Sequence, residues 1–403
     1  MIIIINFLGI ISLVMYIVYL LNKPKYSIFL SVGMLICEFG LDKYTNFLFI
    51  NKFLILFSIL RCICKYGMKK ATKIPFFLLG ILFCINLTVV FSGETTTYSF
   101  SDFITAFSTL SIGFLMFYIK WNENDVIKGL KVLSYLAIIN VAIGILMEGF
   151  FLSSDLRIVS SGIISHLVFY SSIGMYAAAV LVERFGKKKY GKIIIINLII
   201  TFLSQMRGGT IFALILFIPI IIPYIKKLKK RTVVYAVLFS PIIIFISYLM
   251  FGRMISRTLN IGADYGVGFL NTSSRFYVWK ETLKLSQGNR SMGLGIGYIK
   301  TLDEFFTKLG FISPHNEYIK FFVESGYLGL VILIICFIII FFVVYKNNCF
   351  GKARKGMIIS LIIGFMFYSF TDNTISAVEF WAPFSLCLSL LYEKANASIR
   401  SSE

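Results

Sequence analysis

Apolar runs of membrane-spanning length return along almost the whole of this chain, separated by short connections rich in lysine and arginine, and that recurrence leaves few folds open. About twenty consecutive apolar residues carry a helix across the hydrocarbon layer. Lipid offers backbone groups no hydrogen bonds, so an open sheet cannot cross it and a helix, bonded within itself, can. The expected fold class is therefore all-α: a polytopic transmembrane helical bundle. Composition agrees, with 58% hydrophobic and 14% charged residues among 403, too much apolar surface for a water-soluble core of this size.

The runs place about twelve to thirteen spans, at 2–21, 26–39, 46–60, 74–91, 103–119, 130–146, 163–182, 193–203, 210–225, 233–251, 318–345, 357–370 and 375–391. The first is too long for the apolar region of a signal peptide and lacks a basic start, so it is expected to be a span. The chain 1–403 then forms one integral membrane domain.

The net charge of +20 does not point to nucleic acid, because the basic residues sit in short loops at 61–73, 184–192, 226–231 and 346–355. Lysine and arginine concentrate in short loops on the cytoplasmic side. With those loops inside, the segments near Glu94, Asp155, Arg207 and Asp372 are expected outside, together with 252–316. The seven cysteines offer that outer segment no disulfide, since they lie in apolar runs or beside cytoplasmic loops. Cys62 and Cys64 lack the further ligands of a zinc site.

Segment 252–316 is the one long polar insertion, and long loops are usually functional. Its eight basic residues (Arg253, Arg257, Arg275, Lys280, Lys284, Arg290, Lys300, Lys308) outnumber Asp264, Glu281, Asp303 and Glu304. An anionic ligand at the outer face accounts for this excess, and so does a surface facing lipid headgroups.

Within it, 274–285 reads as a short amphipathic helix with Arg275 and Trp279 four residues apart on one face. Trp279 is suited to anchor such a helix in the membrane interface. Gly293, Gly295 and Gly297 then alternate with apolar residues, a pattern that lets backbone approach a ligand closely or makes a turn. It matches neither a dinucleotide nor a nucleoside-triphosphate loop. Ser313-Pro314-His315-Asn316 opens the next apolar run. Serine as cap and proline at the first helical position predict a helix start there, with His315 in the first turn. The positive end of the helix dipole would hold that imidazole neutral and able to accept a proton. An interfacial histidine without a chemical task is the plainer reading.

Arg207 lies between two apolar runs. A charge there is costly unless paired or hydrated, which makes it a functional candidate, although an arginine that ends a span by reaching for headgroups looks the same. His166, Glu38, Glu324 and Glu379 fall in apolar runs and read first as structural. Two arginines and a neutral histidine suit the displacement of a diphosphate: arginine presents a planar, permanently charged fork to phosphate oxygens, and histidine supplies a base.

These stretches resemble the O-antigen polymerase and ligase superfamily of bacterial envelope membrane proteins. The resemblance rests on Ser204 to Gly209, on Ser274 to Gly297 and on His315 to Gly329, in that order, around one large outer loop. Together they cover roughly the latter half of the chain. Met206 departs from the small hydroxyl residue common in the family. The resemblance implies a glycosyltransferase of the cytoplasmic (inner) membrane acting without metal or other cofactor at its outer face, where an acceptor hydroxyl attacks a glycan carried on polyprenyl diphosphate. By position, Arg207 and Arg275 would hold the diphosphate and His315 would orient or deprotonate the hydroxyl, with Asn316, Trp279, Gly293, Gly295 and Gly297 around the substrate. A polymerase of O-antigen or capsule, joining the glycan to another lipid-linked repeat unit, is favoured over a ligase, with a chain-length regulator as a further partner. A polysaccharide or lipid transporter is the competing class, but the internal symmetry usual in transporters is not evident.

Overall fold

The computed structural model describes residues 2–37, 47–69, 73–92, 100–149, 152, 157–225, 266–267, 270–271, 275–311, 313–347 and 355–392. The expected span 233–251, Glu38, Glu94 and Asp155, and the greater part of 252–274 lie outside them. The described chain is all-α apart from a two-residue antiparallel pair, β1 (Gly266–Val267) with β2 (Leu270–Asn271). The helices are α1 (Ile2–Asn22), α2 (Pro24–Met34), α3 (Phe47–Tyr66), α4 (Ile74–Ser92), α5 (Phe100–Met116), α6 (Glu123–Glu148) and α7 (Ile164–Phe185). They continue with α8 (Gly191–Leu203), α9 (Arg207–Ile225), α10 (Arg275–Leu285), α11 (Asp303–Lys308), α12 (Glu317–Lys346), α13 (Lys355–Thr371) and α14 (Val378–Leu391).

Among the described residues α4, α6, α7 and α12 are long and apolar enough to cross a bilayer, and further apolar helices, α5, α9, α13 and α14 among them, are shorter. The expected span 233–251 lies outside the described residues and does not enter that set. Among the shorter helices, the 14 residues of α14 cover about 21 Å, short of a hydrocarbon layer of about 30 Å. Every residue of α14 is buried as well. It is a core helix, and its apolarity serves protein packing rather than lipid. The middle of α7 is likewise enclosed, and Ala177, Ala178 and Ala179 let its neighbours approach closely.

Lipid-type surface appears where expected on peripheral helices. Phe77 on α4, Ile218 on α9 and Phe342 on α12 are exposed apolar side chains with no soluble rationale. Between these layers an aromatic stack fills the core beside one end of the bundle. Phe169 on α7, Phe212 on α9 and Tyr368 on α13 lie with ring centroids 5.4–5.7 Å apart. Such contacts fix the mutual rotation of three helices, and two of them, α9 and α13, end at the site described next.

The one long described helix of the C-terminal part, α12, is bent. Gly326 has φ 63° and ψ −168°, a conformation essentially restricted to glycine, and it breaks the helical path. The glycine run fits against that break. Leu294 and Gly295 N–H donate to the carbonyls of Val323 (2.9 Å) and Glu324 (2.7 Å), and Tyr327 N–H donates to Arg290 O (2.9 Å). Carbonyls and N–H groups that a straight helix would pair internally are thus satisfied by the loop.

Candidate functional site

Four chain segments meet at one end of the bundle, and the turn after α13 joins them. Arg275, the first residue of α10, donates from Nη1 to Thr371 O at 2.8 Å. One turn later Trp279 Nε1 donates to Pro314 O at 2.7 Å, and its ring meets Phe370 edge-on at 5.3 Å. The predicted helix over 274–285 is therefore observed as Arg275–Leu285, and its Arg275 and Trp279 face inward on the same neighbours. His315 Nδ1 lies 3.3 Å from Asp372 Oδ1. Asn373 Nδ2 donates to Ser313 Oγ at 2.6 Å.

Arg207 reaches the same turn through its neighbour. Gly208 packs so tightly that a Cβ on it would stand 2.8 Å from Thr371 Oγ1, and one on Gly209 would overlap Val168 of α7. The two glycines after the arginine are thus what allow α9 to begin against the end of α13. Arg207 is half-buried and precedes the apolar part of α9. Its pKa is lowered, first by desolvation and then by the positive charge of Arg275. The charge of Arg275 is therefore close enough to act on Arg207, and a bound anion would offset the repulsion between the two guanidinium groups.

The helix start expected at Ser313-Pro314 is corrected. α12 begins at Glu317, and Asn316 caps it, its Oδ1 accepting from Tyr318 and Ile319 N–H at 3.1 Å each. Asparagine competes for the cap position as well as serine does, and Ser313 is taken by Asn373 instead. His315 therefore stands outside the first turn, in the left-handed region with φ 47°. Gln205, just ahead of Arg207, also has a positive φ, 54°. Such non-glycine conformations cost about 1–3 kcal/mol each and persist only where surrounding contacts impose them. Away from the helix start, His315 has Asp372 as its neighbour: a carboxylate can only accept, so Nδ1–H donates to it and Nε2 is the nitrogen left for other work.

Asn316 is buried as the cap, with its Nδ2 lacking a partner among the described residues. Gly293, Gly295 and Gly297 are buried with φ between 78° and 103°. A Cβ on Gly293 would stand 2.5 Å from the Glu324 carbonyl, and one on Gly297 2.8 Å from Asp102 O. The glycines make turns, with Tyr298 N–H donating to Gly295 O at 3.1 Å, and they also approach protein backbone closely, Gly293 at the α12 bend and Gly297 at α5.

Asp372, which in the sequence marks only the outer side, and Thr371, which nothing there singles out, are the residues on which the site turns. The available signal was the position of Asp372, a carboxylate in the short polar turn 371–377 between two apolar runs. Glu317 braces the same turn: its Oε2 accepts from Ile375 N–H (3.1 Å), Ser376 N–H (3.3 Å) and Ser376 Oγ (3.1 Å). Glu324, read as structural, is observed so, accepting from Ile299 N–H at 3.1 Å and facing Lys320 at 3.9 Å. Beside α10 a groove of about 470 Å³ is lined by Phe276, Trp279, Leu283 and Ile319, with Lys280 and Arg290 at its rim.

These features define a polytopic helical membrane protein, with Arg207, Arg275 and His315 as a candidate site at one end of its bundle. The O-antigen ligase family model matches residues 193–334, a stretch that takes in Arg207, Arg275 and His315, and the match is consistent with the resemblance that these motifs carry. No curated protein matches the chain.

Proposed function

We propose that the protein is a polysaccharide polymerase, transferring a glycan from polyprenyl diphosphate to a lipid-linked repeat unit at the outer face of the bacterial cytoplasmic membrane. The observation that carries this reading is the convergence of Arg207, Arg275 and His315 on the turn Thr371–Asp372, from three segments distant in sequence. The coarser part, a membrane enzyme of polymerase or ligase type in O-antigen biosynthesis, rests on the family match.

In this reading the acceptor hydroxyl oxygen attacks the anomeric carbon as the bond from that carbon to the diphosphate oxygen breaks, and the diphosphate leaves with the electron pair. The hydroxyl proton passes to His315 Nε2, the nitrogen that Asp372 leaves open. Arg275, held through Thr371 O, and Arg207 stabilise the charge growing on the leaving diphosphate, and fixed donors need no reorganisation as it grows. The groove beside α10 supplies an apolar floor and a basic rim, the chemistry of an isoprenoid joined to a phosphate. A polymerase asks one such chemistry of both donor and acceptor.

Ligation to a different acceptor is the second reading, favoured by the description of the matched family. Purified protein given lipid-linked repeat units separates the two: lengthened chains support the polymerase, and product only with a foreign acceptor supports the ligase. Movement of the lipid without any new glycosidic bond would make it a transporter and end both. Arg275→Ala and His315→Ala are expected to abolish product while the protein still inserts and accumulates.

A further inference from the structure

A second basic recess lies where the junction of α1 and α2, the end of α3 and the start of α6 meet, among the basic loops that the charge distribution assigns to the cytoplasmic side. Four ammonium groups gather there on two tyrosine rings. Lys25 Nζ is 4.7 Å from the centroid of Tyr66 and Lys65 Nζ is 5.7 Å from it; Lys128 Nζ is 4.7 Å from the centroid of Tyr26 and Lys23 Nζ is 5.9 Å from it. Lys128 also hydrogen-bonds the Tyr26 hydroxyl. A cavity of about 250 Å³ is lined by Lys23, Lys25, the two tyrosines and the polar residues at the start of α6, and Lys65 and Lys128 stand behind that lining, against the tyrosine rings, Lys65 Nζ donating to Asn22 O at 2.7 Å.

Among the described residues one carboxylate, Asp125, lines the cavity, and Glu123 lies two positions before it. Asp125 is committed, since its Oδ2 takes Lys25 at 2.6 Å and Asn122 N–H at 3.1 Å. Glu123, in the first turn of α6, is exposed. The tyrosine faces soften the mutual repulsion of the lysines without neutralising it. An anion with several oxygen acceptors answers the remaining charge.

The surface next to the recess says what the anion is attached to. Val14, Val18 and Leu21 on α1 and Phe57 and Leu60 on α3 are exposed apolar side chains, and Leu21 is 60% exposed two residues before Lys23. A free phosphate has no use for such a rail, whereas a phospholipid lays its acyl chains along it. We propose that this recess binds the phosphate headgroup of an anionic membrane phospholipid, with Lys23 and Lys25 lining the phosphate site, Lys65 and Lys128 adding positive charge from the Tyr66 and Tyr26 rings, and the acyl chains against α1 and α3. Basic pockets between spans at the cytoplasmic side bind such headgroups, and tyrosines mark the depth of the interface. The inference is independent of the reaction proposed above.

The test uses the intact protein, reconstituted with equal phosphatidylglycerol and phosphatidylcholine and then stripped stepwise in detergent, with retained lipid counted by native mass spectrometry. Phosphatidylglycerol is expected to be held in preference, and Lys23→Gln with Lys128→Gln to weaken its retention about 30-fold, two lysines' worth of headgroup attraction. If that pair fails to fold by circular dichroism, Lys23→Gln with Lys65→Gln takes its place with the same expectation. Equal retention of both lipids, or undiminished retention by the folded variant, overturns the proposal. Protection against heat by inorganic phosphate, with no preference between the lipids, assigns the recess to free phosphate and overturns the lipid.

Discussion

Asp372 Oδ1 stands 3.3 Å from His315 Nδ1, and the residues that make this contact are 57 positions apart. The same carboxylate oxygen accepts from Asn373 N–H at 2.9 Å, so its position is set by its own turn. The imidazole is thus oriented by a fixed acceptor, and the left-handed backbone of His315 is held in place from both sides by Pro314 and Asn316.

Asp372→Asn tests that orientation. The amide keeps the shape but can hold the ring in the wrong tautomer, so the turnover number is expected to fall about 100-fold or more, within the range of general-base catalysis, while KM changes little. Steady-state elongation with purified lipid-linked units measures both. A fall confined to KM would remove Asp372 from the proton-transfer step.

Arg275→Lys keeps the charge and loses the planar fork. Its bond to Thr371 O and its grip on diphosphate oxygens need separate donors at fixed angles, which a single ammonium cannot supply. Loss of one charge-assisted bond is worth about 1.5–3 kcal/mol, or about 10- to 150-fold in activity. Wild-type elongation by this variant would show that charge alone suffices.

Gly326→Ala tests the bend in α12. A Cβ there would stand 2.3 Å from Ser291 O, at a φ of 63°. Alanine at such a backbone is expected to destabilise by more than about 1 kcal/mol, seen as a lower Tm and poorer accumulation in the membrane. Gly80→Ala serves as the control, since nothing lies within 4 Å of a Cβ at that position.

Lys300 gives a prediction in pH. Burial, followed by the charges of Lys52 and Lys320, pushes its pKa down to about 8. Its folded pKa is below the unfolded value, so between the two the unfolded chain binds more protons and stability rises with pH. Below about 8 the lysine is charged in both states and its burial is a cost, eased in part by the solvent contact its side chain keeps. Lys300→Met is therefore expected to raise Tm at neutral pH and to flatten the rise above pH 8. Parallel Tm profiles for the two proteins would refute this.

The bundle, its helices and the residue types at the site were legible in the chain itself, because the length of an apolar run and the presence of arginine, tryptophan and histidine beside it are local properties. The helix at Arg275–Leu285 was placed within a residue of its observed start on side-chain spacing alone. What a run of apolar residues faces is not local. α14 and α4 read alike in sequence, yet one is wholly enclosed by protein and the other presents Phe77 to lipid. The cap of α12, expected at Ser313, is Asn316 instead, and Asn373, from another segment, engages the serine. Asp372 became a partner of His315 because α13 ends where α9, α10 and α12 begin, and that meeting is fixed by the packing of Gly208 and Tyr368 in the core. Sequence determined which groups were present; only tertiary packing, which pairs residues without regard to their distance along the chain, decided which of them face one another.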